Sequence, residues 1–287
     1  MFHWSIKAQH AGKSVIAEKP EDAIIVMGDV DNFWAAFDAL GSSEGNPFEQ
    51  LYIKPGSDGV KNFLDHNRIV NADTLRLTVI KRRQDYLKIR ENTLAIKDIE
   101  PQCRSTYYAL KYLYPSAVFP PLYFVIGRFN TGGVSIPSMQ IIGTEMNLPE
   151  NMPFLVAHEL IHAQQNIPYK YKILLEQCII EGSADFIGEL ISGKVSSRAP
   201  YDYAVGKEKV LWEDFMKDIN LGENDDFANW LYAGERKDSR PADMGYYIGY
   251  VITKSYYEKA IDKKKAIQEI LKIKDCKQFL KDSGYNP

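Results

Sequence analysis

The spacing of apolar side chains predicts a chain built mostly of helices, with a strand-rich interruption near its middle. Phe33, Trp34, Phe37 and Leu40 recur at helical spacing behind Asp31, a residue type that caps helix N-termini. Pro47 to Ile53 and Gly59 to His66 read as two further short helices. Thr74 to Leu94 is long and amphipathic in its later half, whereas its start, Leu75-Arg76-Leu77-Thr78-Val79, alternates as a strand does. Cys103 to Tyr114 is a Tyr- and Leu-rich helix stopped by Pro115. The period then changes. Leu122 to Ile126 reads as a strand, Asn130 to Gly133 as a turn and Met139 to Gly143 as a second strand. A helix follows Pro153, its apolar run ending at Gln164-Gln165-Asn166 before Pro168, and a second apolar helix runs from about Tyr171 through Ile180. Further helices are expected near Tyr203–Ile219, Asp226–Tyr232, Ala242–Ala260 and Lys263–Lys272, with a short one at the C-terminus. The expected fold class is α+β, predominantly helical, with a small β-sheet beside the two central helices.

Neither a Gly/Ser/Pro-rich linker nor a repeat divides the 287 residues. The expectation is a single unit over 1–287, with a helical N-terminal part over about 1–120. The strands and the remaining helices occupy about 121–287. A net charge of −3 argues against nucleic acid as the main partner. Lys81-Arg82-Arg83 and Lys263-Lys264-Lys265 sit in mixed-charge helical stretches and read as solvated faces. Three cysteines, Cys103, Cys178 and Cys276, lie far apart and offer no disulfide framework. No apolar run is long enough for a transmembrane segment, and Met1 to Pro20 is polar with no signal-peptide core. Oligomeric state and compartment stay open.

The run Ala157-His158-Glu159-Leu160-Ile161-His162-Ala163 changes this picture. Residues four apart share a helical face, so two imidazoles can hold one Zn²⁺ with Glu159 beside it, placed to take a proton from a water. A buried helix with two satisfied core histidines would carry the same residues. Catalytic zinc takes three protein ligands and leaves one position for water. Glu181 is the candidate third ligand. It lies 19 positions after His162, on the second apolar helix, where a carboxylate needs a cation. Asp185, one turn on, can accept the second ring N–H of a ligand histidine. The alternative for Glu181 and Asp185 is a solvated acidic stripe.

His158-Glu159-Leu160-Ile161-His162 followed by Glu181-Gly182-Ser183-Ala184-Asp185 resembles the gluzincin metallopeptidases. The wider chain resembles a family of predicted zinc-dependent proteases with an uncharacterised domain, kin to gliding-motility lipoprotein B-like proteins. The matching pieces are Asn32-Phe33-Trp34, Tyr52 to Gly59, Tyr123 to Phe129, Gly132-Gly133, Ile142-Gly143 and Gly245 to Tyr250. The resemblance implies a zincin-like metallopeptidase fold, ligands at His158, His162 and Glu181, and a peptide or protein substrate. Such relatives are often exported, which is compatible with a leader removed from the chain. The resemblance also suggests that Leu122–Ile126 or Met139–Gly143 is a sheet edge that an extended peptide can pair with; a plain structural hairpin explains the two strands as well.

Zinc-assisted peptide hydrolysis builds an oxyanion that usually needs a protein donor. His3, His10 and His66 sit in weak contexts. Gly245 and Gly249, four apart on a helix, form a close-packing stripe that can aim a phenol inward. Tyr246 is the first choice, ahead of Tyr247 and Tyr250. Two functions follow: a zinc metallopeptidase with Glu159 as general base, or a non-catalytic binding or assembly protein on a zincin scaffold. The complete motif favours the peptidase, because a structural zinc has no need of Glu159.

Overall fold

The computed structural model of the chain describes residues 16–42, 44–65, 68–130, 132–170, 172–232 and 240–287. His3, His10 and His66 lie outside the described residues, as does most of the polar N-terminal stretch. Five helices precede the main strands: α1 (Gly28–Asp38), α2 (Asp58–Asp65), α3 (Ala72–Lys81), α4 (Arg83–Leu94) and α5 (Glu100–Leu113), with a π-helical turn at Glu49–Ile53. Asp31 does not cap α1. The helix starts three residues earlier, and the Asp31 carboxylate pairs with Lys97 at 2.7 Å. Leu75 to Val79 is helical, not extended. Asn71 caps α3 by accepting from the Thr74 N–H at 2.8 Å, and this local bond outweighs the alternation. The long predicted helix breaks at Arg82, whose side chain turns back to Asp85 at 3.0 Å.

Among the described residues the sheet has four strands: β1 (Ile25–Val26), β2 (Leu122–Val125), β3 (Gly133–Ile136) and β4 (Met139–Gly143), in the order β1-β2-β4-β3. β1 and β4 both run parallel to β2, and β3 pairs antiparallel with β4. The two expected strands are therefore interior neighbours in parallel, not a hairpin and not an edge. The edges are β1 and β3. β3 escapes a reading by alternation because Gly133, Ser135 and the following Pro137 all resemble turn residues. β2 is buried along its whole length, as suits a central strand covered on both faces.

Among the described residues seven helices follow: α6 (Met152–Gln164), α7 (Leu174–Ser192), α8 (Ala199–Ala204), α9 (Glu208–Asp218), α10 (Met244–Lys259), α11 (Lys263–Ile270) and α12 (Cys276–Ser283). The expected helix over Asp226–Tyr232 is instead a series of turns, and Tyr203–Ile219 divides into α8 and α9. α7 lies between α6 and α10. A Cβ on Gly182 would collide with the backbone of Gly249 and Tyr250, and one on Gly249 with the Cys178 carbonyl. This glycine contact lets α7 and α10 touch backbone to backbone, which brings Tyr246 close to the residues of α6. Among the described residues, no helix is long and apolar enough to cross a membrane.

Candidate metal centre

α6 carries Pro153 in its first turn, where a missing N–H costs nothing, and runs through the motif without a break. Its pitch sets His158 and His162 on one side, with ring centroids 4.6 Å apart. Their Nε2 atoms are 2.9 Å apart. Glu181, brought in by α7, places Oε2 at 3.2 Å from the His162 Nε2 and 3.4 Å from the His158 Nε2. These three donor atoms lie within 4.8 Å of one another.

The neighbours decide which ring nitrogens carry hydrogen. His158 Nδ1 meets Asp185 Oδ1 at 2.7 Å, and Asp185 Oδ2 accepts the Tyr201 hydroxyl at 2.6 Å. His162 Nδ1 meets Gln165 Oε1 at 2.7 Å. The Gln165 amide cannot be turned round, because its nitrogen donates to the Ile180 carbonyl at 2.7 Å and to Ser183 Oγ at 3.0 Å. Both Nδ1 atoms are thus donors, and both Nε2 atoms present lone pairs to each other and to a carboxylate. Such an arrangement calls for positive charge. Burial opposes a charge on either imidazole. Asp185 and Glu181 around His158, and Glu181 around His162, outweigh it and raise both proton affinities. Burial also opposes the charge of Glu181, yet His162 and His158 hold its carboxyl well below the usual range. Two imidazole nitrogens and one carboxylate oxygen are a donor set that suits zinc with a fourth position left for water.

Glu159 is 7 % exposed and lies under β3, where a Cβ on Gly133 would collide with its carboxyl group. Only glycine lets the strand pass this close. Burial raises the Glu159 carboxyl's proton affinity, against the pull of His162 and His158. The Tyr246 ring stacks on His158 with centroids 5.8 Å apart, and its hydroxyl feels the charge of Glu181. Burial and the charge of Glu181 keep that phenol protonated. The two other candidate phenols of α10 turn elsewhere: Tyr247 packs against Tyr201, and the Tyr250 hydroxyl bonds Glu189. Cys178 is buried against Gly245 at the α7–α10 contact and is not one of the three converging donors.

The structure thus brings His158, Glu159, His162, Glu181, Asp185 and Tyr246 together. It adds two residues that sequence reasoning passed over. Gln165 appeared only as the end of an apolar run, although its place three residues after His162 puts it about one turn on, at the C-cap of the same helix. Tyr201 arrives on α8 from a stretch with no sequence signal for this contact.

No curated protein matches the chain. A family described as predicted Zn-dependent protease (DUF2268) matches residues 128–281, a span that takes in every group of the centre. That span is more than half of the chain, and the protein belongs to this family.

Proposed function

We propose that this chain is a zinc-dependent peptidase of gluzincin type on a zincin-like fold, with His158, His162 and Glu181 as metal ligands and Glu159 as general base. The observation that carries the proposal is the pair of imidazole lone pairs 2.9 Å apart, facing the Glu181 carboxylate. When bound, zinc would supply Lewis acidity to a water and to the scissile carbonyl. Glu159 takes the proton of the attacking water and passes it to the leaving amine. Asp185 and Gln165 hold the histidines in the tautomer that leaves Nε2 free, and Tyr201 steadies Asp185. Tyr246 donates its hydroxyl hydrogen to the developing oxyanion. The outer edge of β3, beside Glu159, receives an extended substrate by main-chain pairing.

The test is metal content together with hydrolysis of a diverse peptide library. Glu159→Gln should keep zinc and fold while losing roughly 10²-fold or more in turnover. Undiminished hydrolysis by Glu159→Gln would assign the activity elsewhere. Peptide binding without hydrolysis by the zinc-loaded wild type would favour a binding protein. Tyr246→Phe deletes only the hydroxyl and should lower kcat roughly 10-fold with little change in KM.

A further inference from the structure

Two cavities flank the centre, and they differ in character. The smaller, about 310 Å³, has polar walls that include Ser135, Gln165, Tyr169 and Glu181. The larger, about 590 Å³, is bounded by Gly132, Met146, Leu155, Tyr201 and Ala242. It is continuous with the centre, because Asp185 and Tyr246 line it too. It is also open to solvent: Met146 at its rim is 48 % exposed. β3 therefore runs from the larger cavity at Gly132 to the smaller one at Ser135, passing Glu159 at Gly133.

The wall of the larger cavity is mostly apolar, and the carboxylates in it are already engaged. Asp185 meets His158 Nδ1 with one oxygen and accepts the Tyr201 hydroxyl with the other. Asp243 accepts the Tyr232 N–H at 2.8 Å, and burial raises its carboxyl. A cationic side chain entering here would compete with these bonds, and an anionic one would meet two carboxyl groups. Apolar side chains have what they need: the Met146 and Leu155 side chains, and the rings of Tyr201 and Tyr246. Leu155 stands one helical turn before His158, so the apolar wall begins directly beside a proposed ligand. The volume is in the range of pockets that hold whole small ligands, which leaves room for an aromatic side chain.

We propose that this cavity receives the side chain that follows the scissile bond, and that it selects a large apolar residue there, phenylalanine above all. The direction comes from β3. Antiparallel pairing is the more stable kind, and a peptide lying antiparallel on the free edge passes Ser135 first, then Gly133, then Gly132. The chain thus reaches the larger cavity after it has passed Glu159. An aromatic side chain removes the most apolar surface from water, and Tyr201 and Tyr246 offer it ring contacts. The inference rests on the peptidase reading of the centre.

An alanine-rich host peptide with one guest residue, phenylalanine, alanine, lysine or glutamate, tests it. The wild type should cut the bond immediately before the phenylalanine guest. It should favour that peptide over the alanine host by roughly 10–100-fold in kcat/KM, the scale of burying one such side chain. Ala242→Leu fills part of the cavity and Met146→Asp puts a charge at its rim; each should lower that ratio by roughly 10-fold. Met146 is exposed, so its variant serves where Ala242→Leu fails to fold. Cleavage after the phenylalanine, a preference for lysine or glutamate, or a ratio that Met146→Asp leaves intact overturns the proposal. Titrating the same peptides into zinc-loaded Glu159→Gln separates this inference from the peptidase reading. Tighter binding of the phenylalanine peptide, lost on adding Met146→Asp, sustains the pocket even where the wild type cleaves nothing. Equal binding of the phenylalanine and alanine peptides overturns it.

Discussion

Around Phe33, the phenols of Tyr52 and Tyr86 are fully buried, and each donates to a main-chain carbonyl, Ile126 at 2.7 Å and Gly127 at 2.8 Å. Trp34 Nε1 gives its hydrogen to Thr93 Oγ1 at 2.9 Å. Around His158, burial is nearly as deep, but each imidazole is satisfied at Nδ1 and turns Nε2 towards the other ring and Glu181. The first region closes its polar groups and uses them to pin the end of β2. The second spends its hydrogen bonds on aiming lone pairs at a common point. Burial alone therefore does not mark a site; buried polar atoms that converge without closing on a partner do.

Deletions in the two regions should separate cleanly. Changing both His158 and His162 to Ala should strip most of the zinc after dialysis, while the chain stays folded. Phe33→Ala should instead cost about 3–5 kcal/mol of stability, the usual price of an aromatic cavity, and leave zinc content unchanged below its unfolding transition. Metal analysis and urea unfolding on the same samples read both. Stoichiometric zinc in the double histidine variant would break the comparison at its centre.

A finer cut falls on the residues behind the proposed ligands. Asp185→Asn keeps an oxygen facing His158 Nδ1 and removes the charge. Zinc affinity should fall by roughly 10–100-fold without being abolished, as read by competition with a chelator. An unchanged affinity would mean that the imidazole is oriented by packing alone.

The two regions also differ in how far the sequence discloses them. The stripe of Phe33, Trp34 and Phe37 and the i, i+4 histidines are local patterns, and each sits on the helix its spacing predicts. Glu181 and Asp185 were legible because an acidic pair in an apolar helix needs a reason. β3 was not legible. It is four residues long, carries turn-type residues, and is a strand only because β4 pairs with it. Tyr201 meets Asp185 from a separate helix, and no local periodicity encodes that contact. The turns over Asp226–Tyr232 fail as a helix for a related reason. The Trp230 indole is held by Asp218 at 2.8 Å and the Tyr232 N–H by Asp243 at 2.8 Å, so bonds to distant residues replace a helical ladder.

Glu145 sharpens the comparison from the side of the sheet, because it combines the two patterns. Its Oε1 accepts from the Phe129 N–H at 3.2 Å, beside the carbonyls that Tyr52 and Tyr86 hold. Its Oε2 is buried without a hydrogen-bond partner. Burial raises its carboxyl from 4.5 to about 7. A carboxyl with a higher pKa in the folded state binds more protons folded than unfolded between those two values. Stability is therefore lost as pH rises from the unfolded value through the folded one, and the full cost stands above it. Glu145→Gln retains the acceptor for Phe129 and removes the titration. Relative to wild type, the variant should gain about 2 kcal/mol between about pH 5.5 and about pH 8.5, on the linkage scale of about 1.4 kcal/mol per pKa unit. Urea unfolding of metal-free protein at the two pH values measures it. A constant difference between variant and wild type would show that Glu145 is ionised normally in the fold, and that its second oxygen reaches water.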